Sequence, residues 1–294
     1  MASISRREAG KVLLAGCAGA LVPARAVWGA TRIDSVVRGV QIGAQSYSFR
    51  DRPLDAAIAA YREVGLGECE LTDDHLVPGG VQGPAKAKLR ATTQASYFHG
   101  IRQKFDDAGV QLYAFTYAFR RGMPDEELEF GFIAAQGLGV KYITSSGNVS
   151  MAPRVDPLAQ KYKIMVGFHG HDSTDPDEFS TPDTFARAMK GASPYIGVNL
   201  DIGHFVAAGG DPVAYITEHH AKIVTLHLKD RKKNHGDNLP FGQGDTPIGP
   251  VLRLLRDKGW KIPANIEYEY GKPGMDTIVE MKKCYAYCRK QLES

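Results

Sequence analysis

The sequence predicts an α/β protein of the (β/α)8 barrel type, a single domain that follows an N-terminal signal segment. Eight short apolar runs with strand-like composition recur along residues 31–294, and amphipathic stretches lie between them. Strand and helix that alternate eight times in roughly 250 residues are typical of a closed parallel barrel. The apolar runs begin near residues 40, 68, 110, 140, 164, 196, 223 and 262.

The amphipathic stretches between these runs predict the outer helices of the barrel. Several end in a glycine, which is the residue that most readily takes the left-handed conformation at a helix C-terminus. The clearest stretches cover residues 53–65, 97–109, 124–139, 181–191 and 247–259. An open, doubly wound sheet is the competing arrangement, but the turn after the first strand reads "GAQSYSFRD" and has no G-x-G-x-x-G motif.

Residues 1–30 read as a signal peptide and linker, separate from the barrel of residues 31–294. Arg6 and Arg7 precede the apolar run of residues 12–22, and "ARA" at residues 24–26 offers a small-residue cleavage site. Paired arginines predict the Tat route and therefore export to the periplasm. A lipid anchor on Cys17 is the less favoured alternative, since few apolar residues separate it from Lys11.

The net positive charge of the chain comes from residues 1–26. The whole sequence carries a formal charge of +3, and residues 1–26 hold four basic residues against one acidic residue, so the remainder is formally neutral. A neutral domain has no general field that attracts nucleic acid. The apolar run is also too short to span a bilayer, so neither nucleic acid nor stable membrane insertion is expected.

Polar side chains follow the last four predicted strands at the point where each strand ends. They are His169, Asp201, His227 and Glu267. Because parallel strands of a barrel point their carboxyl ends into one mouth, these imidazoles and carboxylates should converge. Such a mixed set predicts one divalent metal ion, with manganese, cobalt, zinc or iron preferred over magnesium.

Residues two positions further along these strands share the same face. His171, Lys229 and Glu269 are therefore predicted to lie beside the metal or to compete for it. Glu70, at the end of the second strand, is a candidate partner for a sugar hydroxyl. Tyr47, Tyr113 and Tyr117 are candidates for stacking on a sugar ring, although aromatic strand residues often belong to the core.

The stretches "NLDIGHF", "VTLHLKD" and "NIEYEY" resemble the xylose isomerase-like barrel superfamily, the sugar phosphate isomerase/epimerase group. The resemblance implies that Asp201, His227 and Glu267 bind the metal and that His204 touches substrate. Epimerases of that group carry a metal-binding, proton-moving glutamate on strand five, where this chain has "GFHGH". His169 is predicted to replace that glutamate as the fourth ligand, with His171 lining the pocket as the alternative ligand.

This replacement leaves Glu267 as the one evident base, and a metal-bound imidazole is a poor one. The sequence therefore favours proton abstraction next to a carbonyl with elimination or hydration, on a keto-sugar, keto-glycoside or cyclitol. His171, His204 or Lys229 would protonate the leaving oxygen. A ketose epimerase or isomerase is the alternative, followed by a nuclease and by a barrel that only binds carbohydrate. The basic run at residues 229–233 is expected to be a solvated loop rather than a phosphate clamp.

Overall fold

The computed structural model describes residues 31–76, 88, 95–272 and 274–294, and the predicted signal segment lies outside these residues. Eight parallel strands form a closed barrel, which confirms the predicted fold class. The barrel strands, numbered here β1 to β8, are Val40–Gln45, Glu68–Thr72, Gln111–Thr116, Tyr142–Ser145, Met165–His169, Ile196–Asp201, Ile223–Leu228 and Ala264–Ile266. Each of them begins within two residues of an apolar run in the sequence.

Each barrel strand pairs with the next along the chain, and β8 returns to β1. The closing contact is parallel, with Ala264 opposite Ile42 and Ile266 opposite Ala44. A short hairpin strand, Val36–Val37, pairs antiparallel with β1. Gly43 on β1 has a steric reason to be glycine, since an added Cβ would lie 2.2 Å from the Asn265 Oδ1 atom.

Helices cover the outside of the barrel. In the described part of the chain they are, numbered α1 to α9, Leu54–Val64, Ala95–Ala108, Asp125–Gly137, Ala152–Tyr162, Pro182–Met189, Ile202–Ala207, Pro212–His219, Ile248–Lys258 and Thr277–Glu293. Gly65 and Gly259 end α1 and α8 in the left-handed conformation, with φ of 87° and 65°. None of the described helices is long and apolar enough to cross a membrane.

Two of these helices were not predicted from the sequence. Helix α4 contains Pro157 in its interior, and α6 is only six residues long. Proline removes a backbone donor and usually ends a helix, so the sequence of α4 does not look helical by itself. Helix α6 follows β6 without a loop, because Asp201 is both the last strand residue and the N-cap of the helix.

The pairing of the barrel strands has two irregularities. Between β2 and β3 the register shifts at Cys69 and Glu70, so that Tyr113 is left without a partner in the ladder. A second shift at Val198 and Asn199 precedes the pairing of Asp201 with His227. Such bulges locally change the direction in which side chains point, and the second one lies two residues before the candidate ligand Asp201.

Candidate functional site

The four predicted ligands converge at the carboxyl ends of β5 to β8. One candidate ligand atom from each of His169, Asp201, His227 and Glu267 lies within 4.8 Å of those of the others. All four residues are less than 9% exposed. The strand register explains the convergence, because Asp201 is directly opposite His227 in the ladder.

Asp201 is oriented by the helix that it begins. Its Oδ1 atom accepts a hydrogen bond of 2.7 Å from the backbone N–H of His204, as expected of an N-cap aspartate. This bond engages Oδ1 and leaves Oδ2 available for another partner. The Oδ2 atom lies 3.1 Å from the ammonium of Lys229 but has no well-oriented hydrogen bond among the described residues.

The donor set fits a divalent transition metal. Among the residues that the structure describes, the buried Nδ1 atom of His169 has no hydrogen-bond partner, and Asp201 Oδ2 has only the ion pair with Lys229. Buried polar atoms without partners are rare in native proteins and usually have a specific explanation. A metal ion that accepted lone pairs from these two atoms would provide it. Two imidazoles and two carboxylates are ligands that zinc, manganese, cobalt and iron accept.

The imidazole of His227 lies between two carboxylates. Its Nδ1 atom is 3.1 Å from Glu267 Oε2, on the side of the other ligands, and its Nε2 atom is 2.9 Å from Glu70 Oε1. Burial by itself would lower the pKa of His227, but the charges of Glu70 and Glu267 outweigh burial and raise it well above its usual value. A carboxylate behind the outer nitrogen of a histidine is the usual support for a metal ligand.

The role expected for Glu70 needs correction. The sequence predicted a contact with a sugar hydroxyl, but Glu70 is completely buried below the mouth of the barrel. Its carboxylate is saturated by protein donors, namely Thr116 Oγ1 at 3.0 Å, Thr144 Oγ1 at 2.7 Å, Asn265 Nδ2 at 3.2 Å and His227. Glu70 therefore orients His227 and has no free position for a substrate.

Lys229 is the centre of a buried charge cluster. Its Nζ atom lies 3.1 Å from Asp201 Oδ2, 2.8 Å from Glu267 Oε2 and 2.7 Å from Glu269 Oε2. A fourth neighbour is the Nε2 atom of His204, at 3.0 Å. Burial would lower the pKa of Lys229, but the three carboxylates outweigh burial and raise it. Lys229 therefore stays charged, and its raised pKa makes the ammonium a poor donor for the proton transfer that the sequence analysis assigned to it.

Three other ionisable groups of the site have pKa values that are lowered from their usual values. Burial would raise the pKa of Glu267, but the charges of Lys229 and His227 hold it well below its usual value, so Glu267 is ionised. Burial lowers the pKa of His169 well below its usual value. Burial, together with the nearby His204, lowers the pKa of His171 to about 4. Both strand-five histidines are therefore neutral at neutral pH.

His171 and His204 lie on the outer side of the ligand cluster. The ring of His171 is half-buried, 4.8 Å from the ring of His169 and 5.2 Å from that of His204. Both nitrogens of His204 are occupied, because Nε2 faces Lys229 and Nδ1 faces Asp172 at 3.2 Å and Arg231 at 2.6 Å. Of the two, His171 is the more accessible to a molecule that enters the mouth.

The predicted tyrosine contacts are only partly compatible with the structure. Tyr47, directly after β1, is half-buried beneath the Arg50 guanidinium, 4.6 Å from its ring centre, at a cavity of about 740 Å³. Tyr113 points the other way, because its hydroxyl donates to the Val224 carbonyl near the amino end of β7. Tyr117 is fully buried and donates to the Glu127 carbonyl. Tyr113 and Tyr117 are therefore structural, and their assignment to substrate is corrected.

The basic run after β7 is not the solvated loop that the sequence analysis expected, because its first three residues, Lys229 to Arg231, are buried. Arg231 is buried and paired with Asp172 at 2.7 Å, and its Nη2 atom donates to the Gly236 carbonyl. Lys232 is half-exposed and pairs with Asp245 at 3.1 Å. The run forms a hairpin, Asp230–Arg231 against Asn238–Leu239, whose side chains are largely engaged by protein partners.

Sequence reasoning did not find several residues that shape the site. Asn199 and Asn265 lie two positions before Asp201 and Glu267, so the two-residue period of a strand could have located them on the same inward face. Asp172 contacts Arg231, His204 and His235. It lies in a loop, where no periodicity indicates which way a side chain points.

Fold and site together define the class of this protein: a (β/α)8 barrel in which two histidines, an aspartate and a glutamate that could hold a metal ion converge at the carboxyl ends of the strands. Residues 150–287 match the family model described as "Xylose isomerase-like TIM barrel". The matched part contains β5 to β8 and all four candidate ligands.

Curated relatives match over shorter stretches. The inosose dehydratase of Lactiplantibacillus plantarum is 27% identical over a match that covers 35% of this chain and 40% of that protein. The 3-oxo-isoapionate decarboxylase of Pectobacterium atrosepticum is 28% identical, with coverage of 44% and 48%. The match thus spans less than half the length of these relatives.

Solved structures support the fold along nearly the whole chain. A crystal structure of the IolI protein with a bound zinc atom superposes with a TM-score of 0.65 and 13% identity. The superposition covers 86% of this chain and 98% of the IolI chain. At this identity the likeness concerns the fold alone.

Proposed function

We propose that this protein is a divalent-metal-dependent enzyme that removes a proton next to the carbonyl of a polyhydroxylated keto substrate, with lyase or hydratase chemistry. The candidate substrates are keto-sugars, keto-glycosides and cyclitols. The observation that carries the proposal is the buried set of His169, Asp201, His227 and Glu267, in which two ligand atoms lack a hydrogen-bond partner among the described residues. The curated relatives, a dehydratase and a decarboxylase, support a sugar-modifying activity.

A metal held by these four residues would polarise the substrate carbonyl and so acidify the adjacent C–H bond. Manganese, cobalt, zinc or iron suits the two imidazoles better than magnesium does.

Glu267 is the proposed base of the reaction. Its carboxylate is ionised at neutral pH because Lys229 and His227 lie next to it. A carboxylate with a lowered pKa is a weak base, so the reaction requires a strongly acidified substrate. The ammonium of Lys229 contributes to that acidification, since it stays charged at the end of β7 and stabilises negative charge on the substrate oxygen.

His171 is the proposed donor to the leaving oxygen. It is neutral at neutral pH and, with its side chain about 35% exposed, it is accessible from the mouth. A neutral imidazole can donate its N–H to a departing hydroxyl or alkoxide. Glu269 and Tyr47 are proposed substrate contacts, because each lies at the mouth and is partly exposed.

Elimination or hydration is favoured over epimerisation because of strand five. Inversion of a carbon centre requires a proton acceptor on each of its faces. His169 supplies an imidazole with a strongly lowered pKa where a second carboxylate would be needed. Ketose epimerisation is the second candidate function, and carbohydrate binding without catalysis is the third.

The test combines metal analysis with product identification. Purified protein loaded with Mn²⁺, Co²⁺ or Zn²⁺ is incubated in deuterium oxide with an inosose, a 3-keto-glucoside or a free ketose, and products are identified by NMR. We expect an unsaturated keto product or a released aglycone. Asp201→Ala and His227→Ala should lose both bound metal and activity, whereas His99→Ala, an exposed histidine on α2, should keep both. Full metal occupancy in the two site variants contradicts the proposed centre, and efficient ketose epimerisation alone supports the second candidate.

We also propose that residues 1–30 form a Tat signal peptide and linker and that the barrel of residues 31–294 is exported to the periplasm. The support is the sequence pattern of Arg6 and Arg7 followed by a short apolar run. A precursor with both arginines changed to lysine should accumulate in the cytoplasm, as measured by fractionation and immunoblotting. Normal export of that variant would rule out the Tat route.

A further inference from the structure

Lys229 contacts one carboxylate oxygen of each of two candidate metal ligands. Its ammonium lies 3.1 Å from Asp201 Oδ2 and 2.8 Å from Glu267 Oε2, and both residues belong to the four-residue ligand set. The same ammonium is 2.7 Å from Glu269 Oε2 and 3.0 Å from His204 Nε2, neither of which belongs to that set. The lysine therefore has two groups of partners, one on the ligand side and one on the outer side.

We infer that Lys229 is an internal counter-ion of the metal site: its ammonium neutralises Asp201 and Glu267 in the metal-free protein, weakens divalent-metal binding, and moves toward Glu269 and His204 when the metal binds. This inference rests on the proposed metal centre, and it concerns how that centre is loaded.

The first step of the argument is burial. Asp201 is 1% exposed and Glu267 7% exposed. Buried carboxylates without a compensating positive charge are strongly destabilising. Lys229, itself 2% exposed, is the cation that contacts both. A metal-free barrel with this lysine can therefore fold with its ligands already in place.

The second step is competition. A divalent ion bound by Asp201 Oδ2 and Glu267 Oε2 would be a close neighbour of the Lys229 ammonium if the lysine did not move. Like charges at such distances repel strongly where water is excluded. Metal binding must therefore break at least part of the contact between Lys229 and these two oxygens, and that cost lowers the affinity.

The third step is the alternative position of the lysine. Glu269 is 26% exposed in its side chain and already forms the shortest of the three ion pairs with Lys229. The ammonium can keep Glu269 and His204 as partners while it leaves Asp201 and Glu267. Glu269 is thus a positioning residue, which acts on the metal through Lys229.

The experiment measures metal affinity rather than turnover. Kd values for Zn²⁺ and Mn²⁺ are obtained by calorimetry on metal-stripped full-length protein, and melting temperatures are recorded without metal. Lys229→Met removes the charge but keeps the length of the side chain, and Lys229→Gln serves if the methionine variant does not fold. We expect the Kd to fall by about tenfold or more in either variant, with a lower melting temperature in the metal-free state. Lys232→Met, which removes a half-exposed lysine of the same hairpin, should change neither value.

A double-mutant cycle tests the outer position. Glu269→Gln should weaken metal binding in the wild-type background, because the ammonium is then retained by Asp201 and Glu267. In the Lys229→Met background the same change should have little further effect, since Glu269 acts through the lysine. An equal effect in both backgrounds would show that Glu269 acts directly, and the proposed route through Lys229 would be wrong.

The outcomes separate this inference from the proposed function. If the wild type binds metal and Lys229→Met binds it equally or more weakly, the counter-ion inference is overturned while the metal centre stands. If the wild type binds no metal and Lys229→Met does, the inference stands and metal-dependent catalysis by the natural chain fails. Absence of binding in both proteins overturns both.

Discussion

At the scale of single residues, His227 connects the candidate metal ligands with the buried carboxylate of Glu70. Its Nδ1 atom faces Glu267 and its Nε2 atom faces Glu70. Glu70 itself accepts hydrogen bonds from two threonines and an asparagine. The two carboxylates raise the pKa of His227 well above its usual value. A metal bound beside Glu267 requires the lone pair of the Nδ1 atom, so a proton on Nδ1 must leave when the metal binds.

We therefore predict that metal binding at neutral pH releases a proton from His227. While the pH is below the raised pKa, affinity should increase by about tenfold per pH unit, and it should level off once the pH exceeds that pKa. Glu70→Gln removes one of the two carboxylates and lowers the pKa, so both the proton release at neutral pH and the slope should decrease. Calorimetry in buffers of different ionisation enthalpy measures the protons directly.

The matched control for this prediction is Glu63→Gln, which removes a glutamate from an exposed ion pair with Lys282. It should leave the proton count and the slope unchanged. A pH-independent affinity in the wild type, with no proton released, would mean that His227 is already neutral before the metal arrives.

At the scale of elements, the loop of residues 241–246 is organised by Asp230, the residue after Lys229. Its Oδ2 atom accepts the backbone N–H groups of Gly242, Gln243 and Gly244 at 2.7, 3.1 and 2.9 Å. Its Oδ1 atom accepts the N–H of Thr246 at 3.2 Å. Four donors converging on one buried carboxylate fix the loop to the end of β7.

We predict that Asp230→Asn destabilises the loop more than the barrel, because both carboxylate oxygens accept backbone N–H groups and the NH2 group of asparagine, itself a donor, cannot replace either of them. The expected loss is about 1–3 kcal/mol in the free energy of unfolding, with faster amide hydrogen exchange at residues 242–246. The control is Asp237→Asn, at an exposed position of the hairpin that Asp230–Arg231 and Asn238–Leu239 form. Unchanged exchange in the Asp230 variant would show that the loop is held by other contacts.

The elements differ in how well their sequences predict them. The eight strands were located because each is a short apolar run in a regular alternation with helices. Helix α4 was missed because it contains Pro157, and proline in the interior of a stretch disfavours a helix. Packing against the barrel outweighs this local preference. Helix α6 was missed because it has only six residues and because its N-cap, Asp201, is also the last residue of β6.

The site was predictable to the extent that it depends on strand ends. His169, Asp201, His227 and Glu267 follow from the rule that parallel strands of a barrel direct their carboxyl ends into one mouth. The same rule misplaced Glu70, because β2 continues to Thr72 and Glu70 therefore lies in the middle of the strand rather than at its end. Tyr113 was a candidate only because it is aromatic, and it too lies in the middle of its strand. Loop partners such as Asp172 and Arg231 depend on contacts between loops, which no local pattern encodes.

At the scale of the whole molecule, the two halves of the barrel contribute unequally. The four ligands and Lys229 all come from β5 to β8 and the loops that follow them. The first four strands contribute the buried hydrogen bonds of Glu70, Thr116 and Thr144 beneath the site. They also lead into Tyr47 and the adjoining cavity.

This unequal contribution has a consequence for how the protein can change during evolution. Loops after β1 to β4 can acquire new side chains, and so new substrates, without disturbing the atoms proposed to carry out the reaction, provided that Glu70 keeps its position. The end of strand β7 and the two residues that follow it have no such freedom, because His227, Lys229 and Asp230 occupy three of four consecutive positions there. A single inserted residue in that strand would displace a ligand, its counter-ion and a loop anchor together. Divergence of specificity should therefore concentrate in the first half of the chain, whereas the second half changes only with the chemistry.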